Sequence, residues 1–405
     1  MKKLFALVLC LVLTVSASAV TFTDGSKVRY PDAVAIMADL GLVNGYTDGT
    51  FRPGNNLRRA EAAKLVSLVR EDHPAASVAR FKDVPANHWA APYIGYCTEK
   101  NIISAEADRF RPESFVTGRE FAKMLLVCLG YNGKDYVGAG WAKAVDRDAG
   151  TLGIYSGFTD DPGRIISRDE VCLLLYNAMQ AYAVERLDEK GQPVYVLDDL
   201  RNPMTYMEHR FHIVKFSGVL TGNEYADLTA QDARLADGTS KLAGHTPFKL
   251  STSYTLLGRT VEFYAVRSQS GNDTHYTPIG LPSPSAGETA FTAPSIEGYT
   301  TVLQFSQYKT DRNTAYYYNG NASDEGFLGR ILEDCSITGI DRNGDLILDV
   351  VVAMDFRNGT FTDLDPLTVS AGGVSKPAVL MGGPIAPQLG ESVRCFTMGG
   401  RYYIP

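Results

Sequence analysis

A unit of about fifty residues recurs between residues 22 and 182, and a repeat of that size constrains the fold before any single motif does. Three segments align, at 22–70, 81–130 and 136–182. Each reads as a helix, a Gly-rich turn, an extended loop and a second helix. The second helices carry matching apolar stripes at i, i+3, i+4, i+7 spacing: Ala62, Leu65, Val66, Val69; then Phe121, Met124, Leu125, Cys128; then Val171, Leu174, Leu175, Ala178. One such unit buries little surface alone. The three stripes are therefore expected to pack into one shared core within a single all-α domain.

The starts of these helices hold the chemistry. Thr117-Gly118-Arg119-Glu120 and Ser167-Arg168-Asp169-Glu170 have the capping-box form, in which the hydroxyl caps a free N–H and the glutamate reaches back. In the first segment Arg58-Arg59-Ala60-Glu61 keeps the glutamate and lacks the hydroxyl, so that helix is expected to start less firmly. Capping does not account for Arg59 and Arg168, because a helix start disfavours a cation. An arginine beside exposed helix N–H groups suits a carboxylate or phosphate ligand. A salt bridge to an acid of the neighbouring segment is the competing expectation.

The segments resemble S-layer homology repeats, the wall-anchoring modules of Firmicutes and related bacteria. The resemblance rests on Phe81-x-Asp83, Trp89-Ala90, Gly45-Tyr46-Thr47-Asp48-Gly49-Thr50-Phe51-Arg52-Pro53 and the Arg/Glu helix starts. It implies a helix-loop-helix pseudo-trimer with a central three-helix bundle, whose grooves bind secondary cell-wall polysaccharide, often pyruvylated. The residues it assigns to binding are Arg59, Arg168, Asp24, Asp83, Trp89, Trp141, Asp48 and Gly49. A pyruvate carboxylate is an anion that such an arginine would favour. The Trp faces would stack on sugars or pack as hinges between repeats.

The departures from that pattern predict inequality. Gly118 stands where the family has arginine, and Arg119 follows one place later, about 100° around the helix. The second segment lacks the Gly-Tyr-Thr-Asp-Gly loop, the third shortens it, and the first has Tyr30 in place of a Trp. At most two competent grooves are expected.

Lys2 and Lys3, an apolar run from Leu4 to Val15 and Ala17-Ser18-Ala19 read as a secretory signal peptide over residues 1–19, with Cys10 too poorly flanked for lipidation. No later run is long and apolar enough to span a bilayer. A net charge of −7 argues against nucleic acid as a partner. Beyond Cys10, the cysteines are Cys97, Cys128, Cys172, Cys335 and Cys395. Their odd number and wide spacing do not make a disulfide framework, and burial as small hydrophobes is expected. Neither the cysteines nor the histidines show metal-ligand spacing, and no cofactor is called for.

After Tyr182 the pattern changes to alternation. Residues 185–204 read as a linker or an edge strand, and residues 205–405 as one or two small, mainly β domains, sandwich or barrel. Strands are expected at 211–216 and 261–266, with turns at Asp237-Gly238, Asn319-Gly320 and Asn343-Gly344. Residues 277–298 read as a loop, and Tyr316-Tyr317-Tyr318 as a strand covered in part on both faces. Asp341, Asn343, Asp345 and Asp349 alternate as calcium loops do. A hairpin turn between strands at 336–340 and 346–353 explains them more simply, and no metal is assigned.

The function these features predict is noncovalent anchoring to the cell wall, on its extracellular face, with the β region displayed. The alternative is a wall-targeted glycan hydrolase with its site in residues 205–405. That chemistry needs two facing carboxylates, and Glu224, Asp227, Glu262, Glu333 and Asp334 show no spacing that selects a pair. No GxSxG, HExxH or activated-cysteine pattern occurs, and His209 and His212 read as solvated. The chain is therefore expected not to be an enzyme. A structural array subunit that self-associates laterally is a third reading.

Overall fold

The computed structural model describes residues 22–70, 81–104, 108–271, 273–293, 308–324, 326, 334–381 and 386–405. The signal-peptide region, with Cys10, lies outside them. The chain divides into two units. One runs to Val214 and takes in Ala265–His275 and Ile279–Leu281; the other holds the rest.

The first unit is led by six helices: α1 (Pro31–Asp39), α2 (Arg59–Arg70), α3 (Ala91–Glu99), α4 (Gly118–Leu129), α5 (Trp141–Thr151) and α6 (Arg168–Gln180). Helix α4 packs against both α2 and α6. Each of these also packs on the first helix of another segment: α2 on α3, α4 on α5, and α6 back on α1. The apolar stripes face inward as expected: Val66, Leu125 and Leu174 are at most 1% exposed. Each such side chain contributes about 1.5–3 kcal/mol by leaving water.

The extended residues before α2, α4 and α6 close a ring of backbone hydrogen bonds. The Leu57 N–H donates to the Ile166 carbonyl, Ile166 to Val116, and Val116 to Leu57. A cycle of this kind needs three chain segments in equivalent positions, and it sets the register of the helix starts. The capping boxes of α4 and α6 form as expected, with the Thr117 and Ser167 oxygens accepting from the Glu120 and Glu170 N–H. At α2 only the return half exists: the Arg58 N–H donates to Glu61, 2.9 Å. Helix α4 ends at Gly130, where φ is +111° and a Cβ would lie 2.3 Å from the Val184 carbonyl oxygen, so only glycine fits.

Of the two expectations for residues 185–204, a linker or an edge strand, the structure shows strand. Strands β1 (Val184–Leu187) and β2 (Pro193–Tyr195) pair antiparallel. The Asp188 and Asp198 carboxylates each accept backbone N–H groups of the following turn, which stabilises those turns locally. The strand expected at 211–216 begins later. Residues Tyr206–Phe211 form helix α7, started by a Thr205/Glu208 capping box, and the Tyr206 hydroxyl donates to the Val69 carbonyl, 3.1 Å. A capping box outweighed a short apolar alternation here.

The rest of the described chain is mainly β. Strands β3 (Ile213–Gly222), β4 (Lys241–Leu242), β5 (Thr260–Ser270) and β6 (Asp273–Pro284) form a sheet in the order β4-β3-β5-β6. Parts of β3, β5 and β6 belong to the first unit. Part of the loop expected at 277–298 is therefore strand, in β6 and in β7 (Thr289–Ala293); residues 294–298 lie outside the described residues. Phe216 anchors an aromatic cluster, with ring centroids 4.9 Å from Phe248, 5.3 Å from Phe263 and 5.0 Å from Tyr276. Then follow β8 (Ala315–Tyr318), β9 (Asn321–Ser323), β10 (Cys335–Asp341), β11 (Val350–Leu364), β12 (Leu367–Ala371), β13 (Val374–Leu380), β14 (Ser392–Met398) and β15 (Arg401–Ile404).

Strand β11 serves two sheets. Its first half pairs with β10 and, in parallel, with β8. Its second half pairs with β12 and β14, and the pairings β12–β13, β13–β15 and β15–β14 close a five-stranded barrel. Closure leaves no free edge among those strands. Gly359 sits where the strand enters the barrel, and a Cβ there would stand 2.5 Å from Val369 Cγ1. Tyr316 is buried, Tyr317 and Tyr318 half-buried, as a strand covered on both faces requires. The Asn319-Gly320 turn joins β8 to β9 with φ of +51° and +80°.

Candidate functional site

The site starts from α2 and α6 and from what their first residues touch. The Arg59 Nε donates to the Phe110 carbonyl, 2.9 Å, and its Nη2 to the Ser104 carbonyl, 2.7 Å. Arg168 repeats both bonds on Phe51, 3.1 Å, and Asn44, 2.9 Å. Each guanidinium also lies over the phenylalanine ring, 4.8 Å from the centroid. Each arginine is thus fixed on the loop of another segment; Arg59 also pairs with Glu120 of the next segment, 3.8 Å, the salt bridge of the competing expectation.

The helix N–H groups beside these arginines are not exposed, which corrects the expectation that they would hold an anion. The Arg59 and Ala60 N–H donate to the Ser114 and Pro112 carbonyls. The Arg168 and Asp169 N–H donate to those of Asn55 and Pro53. The ring of segments uses the helix ends for its own closure. The cations left beside these helix starts are the guanidinium groups and the lysines of the same cavities.

Two cavities of about 300 Å³ lie against the arginines, and their walls correspond residue by residue. One holds Arg59, Ser104, Glu120, Lys123, Met124 and Trp141. The other holds Arg168, Asn44, Glu61, Lys64, Leu65 and Trp89. Trp89 is 53% exposed, with only the His88 ring stacked beside it at 5.8 Å among the ring contacts of the described residues, which leaves much of the indole to solvent. The lysines were missed at the sequence level, although Glu61-x-x-Lys64 and Glu120-x-x-Lys123 repeat one spacing on one helix face. They are not alike. Lys64 is exposed, whereas Lys123 is buried, donates to the Ser104 hydroxyl at 2.6 Å, and has its ammonium pushed below the ordinary lysine range by burial, against the pull of Glu120.

The third equivalent position is closed. Gly118 occupies the arginine's place, its N–H donating to the Arg164 carbonyl, 3.0 Å. A Cβ there would stand 3.3 Å from Phe158 Cζ and from the Pro162 carbonyl oxygen. Leu173 stands where the lysine would be. Glu170, fully buried, is paired with Arg29 at 2.7 Å and with Arg164. Arg29 also reaches Asp169 at 3.5 Å and Asp160 at 3.8 Å. Arg119 points elsewhere, to Asp146 at 2.9 Å, which raises its guanidinium's affinity for its proton.

Asp24, Asp83, Asp48 and Gly49 line neither cavity. Asp24 accepts from the Phe51 and Arg52 N–H at 2.7 and 2.9 Å, and Asp83 from Phe110 and Arg111 at 2.9 and 2.8 Å. The Phe51 N–H in particular holds Asp24 below the usual carboxylate range; at Asp83 the two N–H bonds outweigh the burial that opposes them. Both carboxylates shape the loop that carries the buried phenylalanine beneath the arginine, and Arg52 and Arg111 take the same positive φ there, +57° and +60°. Asp48 accepts from Thr50 and Arg52 within its own turn, and Gly49 supplies a φ of +80°.

In the second unit the carboxylates weighed for catalysis are engaged locally. Glu224 accepts from the Gly238 N–H, Asp227 from Thr229, Glu262 pairs with Lys215 and Asp334 with Arg394. Glu333 lies outside the described residues. The 341–349 segment does not have the expected strand from 346. Residues 342–349 form a longer connection, with Leu346 at φ +68°. The buried Asp341 carboxylate accepts from the Asn343, Gly344 and Leu346 N–H, which is the role of a loop organiser. Among the described residues, no group of three or more His, Cys, Asp or Glu side chains is arranged to hold a metal ion. Cys97, Cys128, Cys172, Cys335 and Cys395 are all buried and unpaired as disulfides, and burial pushes the Cys128 and Cys172 thiols up to about 12.

Residues 21–63 and 80–122 match the family model of the S-layer homology domain. A cell surface protein of Thermoanaerobacter kivui is 29% identical over 210 residues, 48% of this chain and 27% of that protein. The middle cell wall protein of Brevibacillus brevis is 28% identical over 202 residues, 46% of this chain and 19% of its own length. A cellulosome-anchoring protein of Acetivibrio thermocellus is 31% identical over 158 residues, 34% of this chain and 35% of its own. The chain thus spans between a fifth and about a third of these relatives. Most of the related proteins are named as surface or S-layer proteins, and one is an exoglucanase of Acetivibrio thermocellus. The two matched segments and these relatives indicate an extracellular protein associated with the cell wall. Among the described residues, no helix is long and apolar enough to cross a membrane.

Proposed function

We propose that this protein is held on the cell wall noncovalently, by secondary cell-wall polysaccharide bound in the Arg59–Trp141 and Arg168–Trp89 cavities, and that it displays residues 205–405. The observation that carries this reading is the residue-by-residue correspondence of the two cavities. Each offers a guanidinium for an acidic substituent such as a pyruvate ketal, a lysine near it, and an indole for the apolar face of a sugar. Segment 136–182 is read as a third, degenerate copy of the repeat, which makes the first unit a pseudo-trimer. The cyclic hydrogen bonds through Leu57, Ile166 and Val116 support that reading. Asp24, Asp83, Asp48 and Gly49 contribute by shaping loops rather than by touching ligand.

A wall-targeted glycan hydrolase is the second reading, favoured by the exoglucanase among the relatives. Against it, Glu224, Asp227, Glu262 and Asp334 are each held by a local partner. The deciding experiment is sedimentation of the secreted chain with purified wall sacculi, before and after extraction of the polysaccharide. Binding is expected to vanish on extraction and to fall sharply in the Trp89→Ala, Trp141→Ala double variant. Undiminished binding to extracted sacculi would overturn the proposal, and release of reducing sugar from intact sacculi would favour the hydrolase.

A further inference from the structure

Arg168 and Glu61 border two cavities, not one. On one side is the Trp89 cavity; on the other is a polar concavity of about 360 Å³, walled by Tyr46, Asn55, Asn56, Arg58 and Phe115. Arg59 and Glu120 stand in the same way between the Trp141 cavity and a second concavity, but that one measures only about 180 Å³ and is walled by Arg109, Arg111 and Phe115. The residue that precedes the ring-forming Leu57 is Asn56, and the one that precedes Val116 is Phe115. Phe115 borders both concavities, but in the larger one it is joined by the Asn56 amide, at the position that Phe115 itself fills in the smaller one.

We propose, resting on the polysaccharide reading above, that the Trp89 cavity and the concavity beyond Arg168 are consecutive subsites of one glycan site. The second subsite takes a neutral, hydroxyl-rich sugar unit. Its volume falls in the range of small-ligand sites, whereas the space beside Arg59 does not. Its chemistry is that of two amides, a phenol and the Phe115 ring. The Asn56 side chain is exposed, and no group among the described residues bonds to its amide. The Asn55 Nδ2 donates only weakly to the Tyr46 hydroxyl, 3.4 Å. The charges nearby are already balanced: Arg58 is paired with Glu113, and Arg52 lies 4.0 Å over the Tyr46 ring and is bonded to Asp48. Among the described residues lining that side, a second anionic sugar would find no cation without a carboxylate partner except Arg168, which serves the first subsite. The site beside Trp141 ends at Arg59 and reads one unit fewer. Two cavities with one inherited wall thus differ in the length of glycan they recognise.

The test uses the full secreted chain carrying Trp141→Ala, so that only the Trp89 side reports. The probes are fragments of defined length cut from purified wall polysaccharide, the shortest carrying one acidic terminal unit and the longer one extended by two sugars, with affinity measured by calorimetry. The longer fragment is expected to bind about tenfold more tightly. Asn56→Phe, which copies the residue already tolerated at the equivalent position, should erase that gain and leave the short fragment's affinity unchanged. Equal affinity for both lengths in the parent, or a length gain that survives Asn56→Phe in a variant with unaltered circular dichroism, would overturn the proposal. Loss of length dependence alone leaves the groove reading standing. If Trp89→Ala does not weaken the short fragment, the groove reading fails and this one with it.

Discussion

Two helix starts carry an arginine beside a cavity and a third carries Gly118, and on the proposed reading their difference teaches how a repeat loses a site while keeping its fold. At Arg59 and Arg168 the first helical residue reaches across to the carbonyls of another segment and leaves a hollow beside it. Gly118 has no side chain to reach across, and Phe158 and Pro162 stand within 3.3 Å of where its Cβ would be. The acid of the capping box then changes role. Glu61 is exposed to its cavity, whereas Glu170 is fully buried and neutralised by Arg29 and Arg164. The backbone ring is indifferent to all this, because Leu57, Val116 and Ile166 contribute only N–H and C=O groups to it. Scaffold and site are therefore separable by mutation.

The largest expected effect tests whether open and closed positions share one core. Leu125→Ala, in the helix that touches both α2 and α6, should cost about 2–5 kcal/mol in chemical denaturation and unfold all three segments in a single transition. Separate transitions would show that the segments are independent. Next, Arg168→Ala and Arg59→Ala should each weaken sacculus binding by about 1.5–3 kcal/mol, whereas Arg119→Ala should leave binding unchanged and cost only stability. A dominant binding loss at Arg119 would break the distinction between open and closed positions.

A smaller effect probes the closed position itself. Glu170→Gln should lower stability by about 1–3 kcal/mol with no change in binding, because Arg29 is half exposed and water compensates part of the lost pair. Smaller again is the contrast between the two lysines. Lys123→Met should raise the melting temperature by a few degrees while weakening glycan binding, and Lys64→Met should weaken binding alone. The sign follows from burial. The folded-state pKa of Lys123 is depressed, so its charged form costs stability at neutral pH, and that cost is relieved as pH rises through the folded-state value toward the unfolded one. The smallest effect is acid sensitivity. Asp24 and Asp83 have depressed folded-state pKa values, so they stabilise the loops above their unfolded values, and that contribution disappears as pH falls through the folded ones. Asp83→Asn should flatten the stability curve in that acid range, as followed by thermal melts.

The register of the repeats was legible because its signals are local. A stripe such as Phe121, Met124, Leu125, Cys128 and a box such as Ser167/Glu170 each lie within two turns of helix, and the chain's own periodicity writes them. Gly118 in the arginine's place was visible by the same alignment. Where local signals compete, reading fails: the alternation at 211–216 hid the Thr205/Glu208 box, and the Pro- and Ser-rich stretch after 277 hid strands β6 and β7. The tertiary structure alone decided which groups meet. Arg29 lies 141 positions before Glu170, and Arg168 lies 124 after Asn44. No periodicity encodes such pairs. They exist because the ring of segments brings α6 back onto α1, and that closure also consumed the helix N–H groups that looked free in the sequence. The barrel in the second unit is the extreme case. Its closure depends on β13 and β15 pairing in parallel across a long connection, and a strand's own residues specify which face is buried but not which strand lies beside it.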